Sequence, residues 1–73
     1  MIEVMMPPKI RQLKAELRRA GFFSRPGKGS HTVWTHPAIP TEEITIAGHD
    51  GDDAQRYQGK QVRDILKKLR GAK

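Results

Sequence analysis

The 73 residues form one small domain at most, because a chain of this length builds a core that is only marginally able to stabilise a fold. The absence of cysteine excludes a disulfide framework and a thiolate zinc site, and no apolar run is long enough to span a membrane, so we expect a cytoplasmic protein without membrane contact. The formal net charge of +6 favours a phosphate-rich partner, although small basic proteins also carry such a charge for solubility alone.

The first half of the chain predicts one helix and two strands. Over residues 8–20 apolar residues recur at intervals of three and four, with two prolines at the start and a glycine after the end. This pattern predicts an amphipathic helix with a basic outer face. Residues 22–25 predict a short strand that a proline ends, and alternation over residues 30–36 predicts a second strand.

The second half predicts one further strand and one further helix. Polar and apolar side chains alternate clearly over residues 43–47, which is typical of a strand. Residues 48–58 are rich in Gly, Asp and Gln, which is typical of a loop. From Gly59 onwards an apolar stripe at positions i, i+3, i+4 and i+7 predicts a second helix that is closed by Gly71.

The predicted order of helix, three strands and helix indicates an α+β fold. A small three-stranded antiparallel sheet must bury one face, and two amphipathic helices on that face can cover it. We therefore expect a two-layer αβββα sandwich. We expect it to be a single domain over residues 1–73, with residues 1–7 as a loose N-terminal lead-in.

A basic turn that contains Gly27 and Gly29 is the segment best suited to chemistry. Glycine permits a sharp turn or a close approach to a ligand. Lys28 adds a positive charge, and Ser30 adds a hydroxyl next to the His31 imidazole. Backbone amides and a lysine can stabilise phosphate charge, and an imidazole transfers protons near neutral pH. The turn therefore indicates a phosphate-binding site with an acid–base catalyst.

Alternation along the second strand predicts which of its side chains a ligand can reach. Trp34 is the largest apolar group of this strand, so Thr32, Trp34 and His36 should face the core. His31 should then lie on the open side of the sheet. The alternative is an exposed histidine without a function. The imidazole fits the role of base and that of acid equally, and Ser30 either orients the ring or merely suits the turn.

His49 and the aromatic residues are further candidates. His49 follows the third strand, which should end in the neighbourhood of the second. It is a partner acid or base, a substrate contact or a solvated loop residue. The Asp50-Gly51-Asp52-Asp53 segment lacks the spacing and the terminal acid of a calcium loop, so we expect no metal and no cofactor. Trp34 and Phe22 are predicted to be core residues, whereas Phe23 faces the other way, as a stacking platform or as ordinary surface.

The order and spacing of several short motifs resemble the HicA family of toxins. The motifs are Gly21-Phe22, Gly29-Ser30-His31, an aromatic residue three positions later, His36-Pro37 and the helix Val62-Arg63-Asp64-Ile65-Leu66-Lys67. The resemblance covers residues 8–70, nearly the whole chain. The chain departs from the family pattern at residues 49–58, which are more acidic, and at residues 59–61, which differ from the usual Gly-Thr entry to the last helix.

The resemblance implies a fold like that of double-stranded-RNA-binding domains and the activity of a ribosome-independent mRNA interferase. It implies that the histidine of Gly-Ser-His, here His31, is catalytic, and that a HicB-type antitoxin encoded beside the toxin neutralises it. We accordingly expect mRNA to be the substrate, and the candidate RNA-binding residues are Lys28, Gly29, Ser30 and His49. We expect the toxin to contact DNA, if at all, only through the antitoxin. The rival interpretation is a non-catalytic RNA-binding module of the same fold, and a degenerate, inactive toxin is a third.

Overall fold

The computed structural model describes residues 7–72, and its elements follow the predicted order. They are helix α1 (Ile10–Arg19), strands β1 (Phe23–Pro26), β2 (Thr32–Thr35) and β3 (Glu43–Ile46), and helix α2 (Arg56–Gly71). The predicted αβββα sandwich is therefore confirmed, with strand bounds that differ from the prediction by one or two residues. Of the predicted N-terminal lead-in, residues 1–6 lie outside the described residues.

The three strands form one antiparallel sheet in the order β1-β2-β3, so β2 is the central strand. Trp34 of β2 lies opposite Ser24 of β1 and Ile44 of β3. Residues opposite each other share a face of the sheet, and successive residues alternate between faces. This register therefore decides which side chains point towards the helices and which point away from them.

The core lies between the sheet and the two helices. Trp34, Ile44 and Ile46 are buried on the helix-facing side of the sheet, as predicted. The helices contribute the apolar residues of their inner stripes, namely Ile10, Leu13 and Leu17 of α1 and Val62 and Ile65 of α2. The indole Nε1 of Trp34 donates to the Thr32 Oγ1 at 2.9 Å, so the largest fully buried side chain has its one polar group satisfied.

Helix α2 begins at Arg56, three residues before the predicted start at Gly59. The reason is the side chain of Gln58, which is buried although it is polar. Its Oε1 accepts from the Gln55 amide at 2.7 Å, and its Nε2 donates to the Ala47 carbonyl at 2.9 Å. These bonds fix the first turn of the helix against the end of β3. Within residues 7–72 no helix is long and apolar enough to cross a membrane.

Helix α1 begins two residues later than predicted, because the chain before it is held extended. The Pro8 carbonyl accepts a hydrogen bond from the Ala54 amide at 2.8 Å, so Pro8 belongs to a contact with the loop after β3 rather than to the first helical turn. Lys9 pairs with Asp53 in an isolated antiparallel bridge, and its Nζ lies 2.6 Å from the Asp53 carboxylate. The predicted loop is thus docked against the start of α1.

The same loop provides hydrogen-bond acceptors for the first turn of α1. The Asp52 carbonyl accepts from the Ile10 amide at 2.8 Å, and the Asp50 carbonyl accepts from the Arg11 amide at 3.1 Å. The first amides of a helix have no acceptor within the helix, so these carbonyls replace a side-chain cap. The hydrogen bond and charge of Lys14, 2.7 Å from the Asp50 carboxylate, hold the pKa of that carboxyl below its ordinary value of 3.8.

Candidate active site at the β1–β2 turn

Residues 27–31 form the turn between β1 and β2, which two backbone hydrogen bonds close. The Gly27 amide donates to the His31 carbonyl and the His31 amide donates to the Lys28 carbonyl, both at 2.9 Å. Gly29 has a φ of +55°, a left-handed conformation that residues with a side chain rarely adopt. A Cβ at this position would have no neighbour within 4 Å, so Gly29 is required for its backbone angle rather than for close packing.

His31 is exposed at the start of β2. Among the described residues neither nitrogen of its ring takes part in a hydrogen bond. Gly27 lies beside it, and a Cβ at position 27 would come within 3.3 Å of the His31 Cβ. The missing side chain therefore leaves space beside the His31 Cβ. The exposed ring is accessible to a ligand.

Three consecutive backbone amides next to His31 are unpaired. In the part of the chain that the structure describes, the amides of Lys28, Gly29 and Ser30 donate no hydrogen bond. Lys28 is exposed, and its ammonium group forms no ion pair with a carboxylate of residues 7–72. Successive backbone amides form an anion-binding concavity. The turn thus carries a group of donors suited to a phosphate.

Ser30 connects this turn to the segment after β3. Its Oγ accepts a hydrogen bond from the Gly48 amide at 3.3 Å. His49 follows directly, so the two candidate histidines adjoin the two hydrogen-bonded residues. The His49 side chain is 84% exposed, and its Nδ1 lies 3.7 Å from the Oδ2 of Asp52. That same carboxylate oxygen accepts from the His49 amide at 3.0 Å.

Asp52, which the sequence brings up only as part of a rejected calcium loop, lies beside His49. Its carboxylate fixes the backbone of His49 and lies close to the imidazole. A local signal was present, because an Asp side chain readily accepts hydrogen bonds from nearby backbone amides in turns. Within residues 7–72 no three His, Asp or Glu side chains lie close enough together to hold a metal ion.

His36 has a structural role at the other end of β2. The Ala38 amide donates to its Nδ1 at 2.9 Å, so the ring proton is on Nε2, which donates to the Ala20 carbonyl at 3.1 Å. The ring packs edge-on against Phe22, with centroids 5.1 Å apart. Gly21 has a φ of +97°, and a Cβ there would lie 3.0 Å from the His36 Nε2. This cluster joins the end of α1 to the end of β2.

A comparison with protein families identifies the chain. The family model described as HicA toxin of bacterial toxin-antitoxin matches residues 10–70 of the 73. The matched stretch begins with α1 and ends within the last turn of α2, so it includes all three strands and the turn of residues 27–31. No curated protein and no solved structure matches the chain. The chain therefore belongs to the HicA toxin family of bacterial toxin–antitoxin systems, whose members pair with an antitoxin.

Proposed function

We propose that the chain is an endoribonuclease of the mRNA interferase type and that the His31 imidazole transfers a proton during RNA cleavage. The observation that supports this most strongly is an exposed imidazole without a hydrogen-bond partner among residues 7–72, next to three backbone amides that donate no hydrogen bond within the same residues. An imidazole can act as general base or general acid near neutral pH, and such catalysis contributes typically about 10²–10⁴-fold to a rate.

The reaction needs no group outside the substrate except a proton acceptor, a proton donor and donors for the phosphate. The ribose 2′-hydroxyl loses its proton to the base, and its oxygen attacks the adjacent phosphorus. The bond from phosphorus to the 5′-oxygen breaks, and that oxygen takes a proton from the acid. The products are a 2′,3′-cyclic phosphate and a 5′-hydroxyl. Negative charge increases on the phosphoryl oxygens, where positioned N–H donors are most effective.

Lys28 and the amides of residues 28–30 are suited to bind the reacting phosphate. The amides are held by the turn, so they need no reorganisation when charge develops. The ammonium group of Lys28 adds a positive charge that no described carboxylate neutralises. Gly29 contributes its backbone angle and Ser30 its amide. These residues form the RNA-binding part of the proposal.

His49 is the candidate for the second proton transfer or for a further substrate contact. The Ser30–Gly48 hydrogen bond holds the segment before His49 against the turn that bears His31. The Asp52 carboxylate accepts from the His49 amide at 3.0 Å and so fixes the backbone that carries this imidazole. A histidine on each side of one hydrogen-bonded contact supports a division of base and acid between them.

The antitoxin of this toxin is proposed to be a HicB-type protein that covers the His31 side of the sheet. The exposed turn is compact, so one partner segment can block both the imidazole and the phosphate donors. Any DNA contact of the complex would then come from the antitoxin. The substrate is proposed to be RNA, since the cleavage chemistry requires a 2′-hydroxyl, and mRNA in particular because the chain belongs to the HicA toxin family.

Incubation of the purified chain with single-stranded RNA in the presence of EDTA tests the proposal. The parental chain should yield 2′,3′-cyclic phosphate ends, and His31→Ala and His31→Gln should both lower the rate at least about 100-fold. Thr45→Ala, a change on the same exposed face, serves as the control and should cleave at the parental rate. Parental cleavage by both His31 variants would refute the catalytic assignment. Salt-dependent RNA binding without any cleavage product would instead establish a binding module.

A further inference from the structure

The face of the sheet that is turned away from the helices carries an exposed aromatic ring. Phe23 of β1 lies opposite Thr35 of β2, so it lies on the face opposite to the buried Trp34. Phe23 is 67% exposed, whereas its neighbour Phe22 is buried in the core. One exposed apolar side chain needs no explanation by itself. Phe23 becomes informative because of the groups that follow it on the same face.

A basic group and the candidate catalytic group follow Phe23 along this face. Arg25 lies two residues further along β1, opposite Val33, and Gly27 lies two residues beyond Arg25, beside His31. At about 3.3 Å per residue, the chain from Phe23 to Gly27 covers about 13 Å. The order along the face is therefore an aromatic ring, a guanidinium group and an imidazole.

Arg25 is available to bind a phosphate. Its Nη2 lies 3.5 Å from the Oε2 of Glu43, and both side chains are more than half exposed. A long, exposed ion pair contributes little to stability, so a phosphate can replace this carboxylate at small cost. The planar guanidinium group also offers paired donors that match the geometry of a phosphate.

We propose that Phe23 is a base-stacking subsite for single-stranded RNA and that Arg25 binds a phosphate between that base and the bond cleaved at His31. The inference rests on the proposed function, because it takes His31 as the point of cleavage. Because the phosphate at Arg25 lies between the stacked base and the cleaved bond, this base lies beyond the nucleotide next to that bond. RNA suits this face better than a protein partner, because the Phe23 ring can stack on a base and the Arg25 guanidinium group next to it can bind a phosphate.

Cleavage of a short and a longer RNA tests the subsite. A dinucleotide is too short to reach Phe23, so Phe23→Ala should cleave it at the parental rate. A single strand of several nucleotides reaches the ring, and Phe23→Ala should lower its kcat/KM about fivefold to hundredfold. Phe23→Trp should retain the parental value, and Phe23→Leu should not, because leucine is apolar but has no ring face. Equal losses on both RNAs, or full activity of the leucine variant, would overturn the proposal.

A binding measurement separates the subsite from catalysis. The RNA carries 2′-O-methyl groups, so no protein can cleave it by attack of the 2′-oxygen. Phe23→Ala should raise its Kd by a similar factor, and Thr45→Ala, on the same exposed face, should leave it unchanged. If the parental chain cleaves no RNA but this weakening is found, the proposed function fails and the stacking subsite stands. If Phe23→Ala weakens only the antitoxin complex, the ring is a protein contact and the subsite is refuted.

Discussion

Replacing His36 should destabilise the protein, whereas replacing His31 should not, although both histidines flank the same short strand. His36→Ala removes an acceptor for the Ala38 amide at 2.9 Å, a donor to the Ala20 carbonyl at 3.1 Å and an edge-on ring contact with Phe22. Each of the two hydrogen bonds is worth about 1 kcal/mol net and the ring pair about 0.5–1.5 kcal/mol, so we expect a loss of about 2.5–3.5 kcal/mol.

Unfolding experiments on matched variants measure this loss. A destabilisation of 1 kcal/mol lowers Tm by about 4–8 °C in a domain of this size, so His36→Ala should melt about 10–28 °C below the parental chain. His36→Asn should lose less, because its side-chain oxygen can still accept from the Ala38 amide. His31→Ala removes an exposed ring without a partner and should stay within about 0.5 kcal/mol of the parental chain.

The fluorescence of Trp34, the single tryptophan, reports unfolding in all of these variants. Equal stability of His36→Ala and the parental chain would refute the assignment of a structural role to His36. A loss for His31→Ala as large as that for His36→Ala would show that His31 is not the unpartnered residue described above.

Gly21→Ala should cost about 1–3 kcal/mol, measured by thermal unfolding, because its φ is +97° and the new Cβ would meet the His36 ring at 3.0 Å; an unchanged Tm would contradict this. Asp50→Asn should make the free energy of unfolding fall less steeply as the pH is lowered, because Lys14 lowers the pKa of Asp50 in the folded chain. The ionised carboxylate stabilises the fold above its ordinary pKa of 3.8, and this contribution is lost as the pH falls through the lower pKa of the folded state. Urea unfolding between about pH 5 and pH 2 measures the slope, and equal slopes would count against the ion pair. Ser30→Ala should speed hydrogen exchange of the Gly48 amide, which donates to the Ser30 Oγ at 3.3 Å, and should lower the free energy of unfolding by at most about 1 kcal/mol. Unchanged exchange at Gly48 would contradict this hydrogen bond.

The predictions that succeeded depend on periodicity. The burial of Trp34 and Ile44 and the exposure of His31 and Phe23 follow from alternation along short strands, because a strand has only two faces. The turn between β1 and β2 was predictable from composition instead, since a proline and two glycines stand between two strand-forming segments.

The features that sequence reasoning missed depend on contacts between distant residues. Gln58 is polar, so nothing in the local sequence indicates that its side chain is buried. Its hydrogen bond to the Ala47 carbonyl, which fixes the first turn of α2, joins residues that are far apart in the sequence. Residues 48–58 were predicted only as a loop, whereas Asp50 and Asp52 bind the first turn of α1 through their carbonyls while their carboxylates stay exposed. The contact of Ser30 with the segment after β3 likewise exists only once the sheet has formed.

The capping of α1 by carbonyls from the loop after β3 has a consequence for the timing of maturation. During synthesis α1 emerges first, but the acceptors for its Ile10 and Arg11 amides belong to Asp52 and Asp50, which are made only after all three strands. In a nascent chain that still lacks Asp50 and Asp52, the first turn of α1 has no acceptors for these two amides and is frayed. The turn between β1 and β2 then also lacks the hydrogen bond from Gly48 to Ser30. The chain would thus complete its first helix only after the segment that follows β3 has been synthesised.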